Sequence, residues 1–159
     1  MPSASQTPPE PGMPDLAARR QAMAWAGAAT ADELRDALAQ AGALPEAEDL
    51  RAPETGLVMV RGRIGGDGRA FNAGEATVTR AAVRLPGGET GFAYHLGRDR
   101  ARARLAAILD AHWQRPEARP ALAAALAEIA DRRADAAQQA ARKAAATRVT
   151  FFTLARGED

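Results

Sequence analysis

A chain of 159 residues is long enough for one compact core. With 21 Lys and Arg against 20 Asp and Glu, its net charge of +1 gives no reason to expect bulk nucleic-acid binding. The lack of cysteine excludes disulfides, zinc–thiolate sites, iron–sulfur ligation and cysteine nucleophiles within the chain.

Pro2, Pro8, Pro9, Pro11 and Pro14 stand where a signal peptide would need an apolar run. Residues 1–14 therefore read as a disordered, proline-rich tail, and residues 15–159 as a single domain. No apolar stretch approaches the roughly 20 residues that span a bilayer, so a soluble, cytoplasmic protein is expected. A first helix is predicted from Asp15, its cap, to about Ala28, with Leu16, Met23 and Trp25 as its large apolar residues. Thr30 and Glu33 form an S/T-x-x-E capping box that opens a second helix. Leu34, Ala37, Leu38 and Ala41 make its stripe, and Gly42 suits the position just past its end.

Leu44 to Glu54 reads as a polar connection punctuated by Pro45 and Pro53. Leu57 to Ile64 is a predicted strand, with Val58, Val60 and Ile64 on one face and Arg61 and Arg63 on the other. Gly65, Gly66, Asp67, Gly68, Asn72 and Gly74 then form a connection too long for a two-residue hairpin, so a shaped loop is expected. Ala76 to Leu85 is the second strand; Thr77, Thr79, Ala81, Val83 and Leu85 share a face opposite Val78, Arg80 and Arg84. After the Pro86-Gly87-Gly88 turn, Thr90 to Leu96 is the third, with Phe92 and Tyr94 alternating against Ala93 and His95. Such a meander needs a covering layer.

Asp99 caps the next helix, whose stripe is Leu105, Ile108, Leu109 and His112, with Trp113 beside it. Arg98, Arg100, Arg102 and Arg104 read either as a solvated basic turn or as groups that reach phosphate. Pro116 breaks the helix and Pro120 opens another, predicted over Ala121 to Ala145 with Leu122, Ala125, Leu126 and Ile129 as its stripe and a Glu128–Arg132 pair on its surface. Its second half has no large apolar side chain, which leaves a solvent-exposed extension or a close contact with a partner. Arg148 to Arg156 is predicted to be a last strand joining the meander. The fold class is therefore α+β: a small antiparallel sheet, a three-strand meander plus a C-terminal strand, with an N-terminal helical pair and two C-terminal helices.

The glycine-rich connection has two readings. It is a turn at a sheet end, or its amides form an anion nest flanked by arginines. It is neither a GxxxxGK[ST] loop nor a G-x-G-x-x-G turn opening a helix. The candidate anion-binding set is Arg63, Gly65, Gly66, Gly68, Arg80 and Arg98. His95 and Glu75 are candidates for acid–base work or an ion pair, Glu75 with Arg80, Arg63 or a partner subunit; His112 reads as a satisfied core histidine. No catalytic residue and no metal site is assigned, since two separated histidines without a clustered carboxylate lack a ligand pattern.

The stretches RRQAMAWAGAAT, ETGLVMVRGRIGG, GRIGGDGRAFNAGEATVTRAAVRL, GFAYHLGRD and RVTFFTLARGED, in that order from Leu16 to Asp159, resemble the PhnG subunit family of the bacterial carbon–phosphorus lyase system. The resemblance implies a subunit of a core complex of PhnG, PhnH, PhnI and PhnJ, with PhnI as its main contact. It implies action with PhnI, PhnH and PhnL in coupling ATP, the co-substrate, to methylphosphonate. That transferase step gives α-D-ribose 1-methylphosphonate 5-triphosphate plus adenine. Glycosidic cleavage then falls to PhnI and radical C–P cleavage to PhnJ. No cofactor is expected on this chain, no activity from it in isolation, and no membrane or nucleic-acid partner. The other reading is a purely structural assembly subunit without substrate contact.

Overall fold

The computed structural model describes residues 16–42, 46–64 and 68–147; the expected N-terminal tail, Asp15, Gly65, Gly66 and the expected strand from Arg148 to Arg156 lie outside them. In chain order the elements are α1 (Leu16–Ala28), α2 (Ala31–Gln40), β1 (Glu48–Gly62), β2 (Phe71–Arg84), β3 (Thr90–Leu96), α3 (Arg100–Trp113) and α4 (Arg119–Ala146). Among the described residues the sheet is a three-stranded antiparallel meander in the order β1-β2-β3. The α+β class and the helical pair are as expected from the sequence. No helix among the described residues is long and apolar enough to cross a membrane.

The capping box forms as written: Glu33 N–H donates to Thr30 Oγ1 at 3.2 Å, and Thr30 N–H to Glu33 Oε2 at 2.7 Å. Gly42 follows α2 with φ +80°, a conformation that costs glycine least. In α1 the buried contacts are made by Ala22 and Ala26, while Leu16 is exposed and Met23 and Trp25 are only partly covered. Small side chains there let α1 approach its neighbours closely.

Two strands are longer than their sequence suggests. β1 begins at Glu48, inside the stretch read as a connection. Pro53 is tolerated because β1 is an edge strand among the described residues and because Ala52 and Pro53 together oppose Ala81, a bulge between the Arg51↔Ala82 and Glu54↔Arg80 pairs. β2 begins at Phe71, so Asn72 and Gly74 belong to the strand, not to the loop. Gly74, φ +152°, sits at the register shift where Val60 pairs with Gly74 but Arg61 pairs with Asn72.

α3 lies on one face of the sheet, and α1, α2 and α4 pack against α3 on that same side, leaving the opposite face of the sheet uncovered among the described residues. Nine residues of α3 are buried, including Ile108, Leu109, Asp110 and His112. The expected inward face of β2 is confirmed: Thr79, Ala81, Val83 and Leu85 are buried against the helices. On β3 the inner residues are Gly91, Ala93 and His95, whereas Phe92, Tyr94 and Leu96 point to the uncovered face. Leu34, Leu38, Leu85, Leu109, Leu122 and Leu126 are the large fully buried aliphatic side chains, each contributing about 2 kcal/mol by burial.

In α4 the stripe Leu122, Ala125, Leu126 and Ile129 is buried as expected, and every residue from Asp131 to Thr147 is exposed. The expected Glu128–Arg132 side-chain pair does not form. Arg132 Nε donates instead to the Glu128 carbonyl (3.3 Å), and its other end approaches Glu33 of α2 at 3.7 Å.

Candidate functional site

Two regions concentrate polar and unpartnered groups. The first is a cleft of about 400 Å³ between α1 and the edge of β3 left unpaired among the described residues, lined by Arg19, Arg20, Met23, Tyr94, His95 and Asp110. Asp110 is its organising group. It arises within an otherwise apolar run of α3, and its carboxylate accepts two bonds of 2.7 Å from Arg19 and one of 2.9 Å from the Phe92 N–H. This hydrogen bonding raises the Arg19 guanidinium above its ordinary pKa against the opposing effect of burial. Sequence reasoning missed Asp110; the available signal was a lone carboxylate in LAAILDAHW.

His95 lies beside this cleft at 4 % exposure, opposite Thr79 on the sheet's inner face. Among the described residues its Nδ1 has no hydrogen-bond partner, and the Nε of Arg102 is likewise buried without one. Burial, reinforced by the positive charge of Arg102 and opposed by Asp99, pushes the His95 pKa down to about 4. The imidazole is thus neutral at neutral pH. His112 is a core histidine as expected, but its Nε2 also lacks a partner, so it is not satisfied among the described residues.

The second region is the distal part of the β1–β2 hairpin. Arg63 stands at its tip and donates to the Gly68 carbonyl at 3.1 Å. Arg80 is far from it. Arg80 donates to Glu54 at 2.6 Å, which raises its pKa, with Tyr94 as a second cause. Glu54 also accepts from Arg51 at 2.5 Å, and these two arginines hold its pKa below the ordinary value. Nine residue steps along β2 separate Arg80 from Phe71 at the tip, about 30 Å along a strand. Arg98 follows Gly97, whose N–H donates to the Thr77 carbonyl at 2.8 Å, and this places Arg98 beside the middle of the hairpin, well short of its tip. The structure therefore does not gather Arg63, Arg80 and Arg98 round one nest. Glu75 sits on the exposed hairpin opposite Met59, with no ion pair among the described residues, and does not meet His95, Arg63 or Arg80.

The basic turn before α3 divides by role. Arg102 bonds the Gly27 carbonyl at the end of α1, and Arg104 bonds Asp49 (2.8 Å) and the Ala47 carbonyl (2.9 Å), so both tether the chain. Arg98 and Arg100 remain exposed. Thr79 is structural, donating to the Gly97 carbonyl at 2.7 Å and meeting Thr55 at 3.1 Å. Among the described residues no three His, Asp or Glu side chains come together as a metal site. What the two regions can do is bind: one offers an apolar cleft with a fixed ion pair, the other exposed arginines on a ribbon.

Comparison with known proteins gives a consistent result. The family model for the phosphonate metabolism protein PhnG matches residues 17–157. The α-D-ribose 1-methylphosphonate 5-triphosphate synthase subunit PhnG of Rhizobium meliloti (strain 1021) is 49 % identical over 144 residues, which cover 91 % of this chain and 92 % of that protein. The match runs from α1 through the hairpin and α3 to beyond α4, and on this ground the chain belongs to the PhnG family of phosphonate metabolism proteins.

Proposed function

We propose that this chain is a subunit of an α-D-ribose 1-methylphosphonate 5-triphosphate synthase. In this reading it acts with PhnI, PhnH and PhnL to couple ATP to methylphosphonate with release of adenine, inside a cytoplasmic core complex that also contains PhnJ. PhnI is its main contact, and the isolated chain turns over no substrate. The observation that carries the reading is the likeness to a synthase subunit over nine tenths of both chains. The exposed hairpin and the exposed second half of α4 support it, since both are surfaces suited to a partner.

Phosphate contact is divided in this proposal. Arg63 and Gly68 at the hairpin tip serve one anion contact, and Arg98, just past the end of β3, serves another. The remaining groups of each come from other subunits. Arg80 is held by Glu54 and organises the sheet. Glu75 offers a carboxylate to a neighbouring subunit. Reconstitution with ATP and methylphosphonate tests this. Arg63→Ala or Arg98→Ala is expected to lower kcat/KM at least about tenfold in a fully assembled complex. Full product formation without the chain would overturn the proposal.

A second reading, an assembly subunit with no substrate contact, is favoured by the separation of Arg63, Arg80 and Arg98. Wild-type turnover by assembled complexes carrying Arg63→Ala and Arg98→Ala would select it.

A further inference from the structure

β3 pairs with β2 only from Val78 to Arg84 and the Gly97 N–H bonds the Thr77 carbonyl, so β2 from Phe71 to Ala76 has β1 as its sole described strand partner. This part of the hairpin forms a two-stranded arm. Along it Leu57, Val58, Met59, Val60, Ile64 and Phe71 are all large, apolar and exposed, at 41 % to 76 % of their surface. Successive strand residues point to opposite faces, so Leu57 and Met59 lie on one side and Val58 and Val60 on the other. Nothing in the described body covers either side, and a lone ribbon of this kind is marginal in water.

From this we infer that the arm inserts into a groove of another subunit. The inference rests on the reading of the chain as a synthase subunit. A flat partner would cover one face and leave the other wet; burying both faces requires walls on both sides. Charge defines the far end of the groove. Arg61 and Arg69 make no ion pair among the described residues, Arg63 is turned to the Gly68 carbonyl, and Glu75 is the single carboxylate on the described arm. The partner is therefore an apolar-walled groove with carboxylates opposite Arg61 and Arg69, leaving Arg63 for the anion contact. A second copy of this chain fits less well, because paired arms would set like charges against each other.

The test uses the full chain and the purified complex of the remaining synthase subunits. Met59→Asp and Val60→Asp strike opposite faces, Arg61→Glu with Arg69→Glu reverses the tip, and Arg142→Glu on the exposed end of α4 is the control. The isolated variants should melt with the wild type, because all these side chains are exposed. Each face variant should weaken assembly at least tenfold. The tip reversal should slow association and remove much of its salt dependence. Amides of residues 56–64 and 68–76 should gain protection from hydrogen exchange on assembly. Loss from only one face overturns the groove in favour of a flat contact. Unchanged assembly by all arm variants overturns the docking surface altogether. A wild-type dimer of the isolated chain that the same variants dissociate assigns the arm to a second copy and overturns the proposed partner. A wild-type chain that joins none of the other subunits overturns the subunit reading itself, and the inference with it.

Discussion

The carboxylate of Asp110 grips the guanidinium of Arg19 through two bonds of 2.7 Å, and Oδ2 also accepts the Phe92 N–H at 2.9 Å. One side chain of α3 thus ties down α1 and closes part of the β3 edge. Asp110→Ala strands a partly buried arginine and a backbone donor, and should cost roughly 3–5 kcal/mol. Arg19→Met keeps apolar contact and, with the arginine side chain 27 % exposed, should cost less. Urea unfolding of the two variants beside the wild type checks the order.

His95 gives stability a pH dependence. Unfolded, it takes up a proton near its ordinary value of 6.5; folded, it resists until about 4. Between those values the unfolded state binds more protons, so stability falls as pH drops. His112, also lowered by burial, adds in the same direction. Glu89, held near 2 by Arg115, extends the loss below 4.5. His95→Gln should flatten the curve of urea midpoint against pH from 6.5 to 4 and leave the more acidic limb in place.

At Gly91, β3 lies close against the backbone of α3. A Cβ there would stand 2.0 Å from the Ala107 carbonyl oxygen and 2.5 Å from the Ala111 nitrogen, both helix backbone. Gly91→Ala must push α3 off the sheet and should cost about 3 kcal/mol or more. Gly56→Ala, with no atom within 4 Å, should change stability by less than about 0.5 kcal/mol. Thermal melting of the pair separates crowding from the general effect of losing a glycine.

Thr30→Ala removes the acceptor for Glu33 N–H and should cost about 1 kcal/mol. Because Glu33 also meets Arg132 and Arg133 of α4, Glu33→Ala loosens two helices at once. Hydrogen exchange should then rise in the first turn of α2 after either change, and near Arg133 only after the second.

Local chemistry made much of the fold readable. The Thr30–Glu33 box, Gly42 and the alternation through Thr79, Ala81 and Val83 depend on neighbours in sequence, and they appear where expected. Pro53 misled because a proline demotes a central strand, whereas here it occupies an edge bulge that only the pairing with Ala81 reveals. Asn72 and Gly74 carry turn chemistry but serve a bulge. The arginines were harder still. Arg80 was read beside a loop because its partner Glu54 belonged to a stretch not recognised as strand, and the tethers of Arg102 and Arg104 link residues 75 and 55 positions apart.

The last buried residue of α4 is Ile129, and the helix continues to Ala146. Past Arg132 and Arg133, which reach Glu33, the thirteen residues from Ala134 to Ala146 extend about 20 Å and are all exposed. In the free chain their helicity rests on alanine propensity and obeys helix–coil statistics. Warming should therefore erode ellipticity at 222 nm along a shallow slope well before the body melts. Capture of the segment by a neighbour should merge that slope into a single cooperative step.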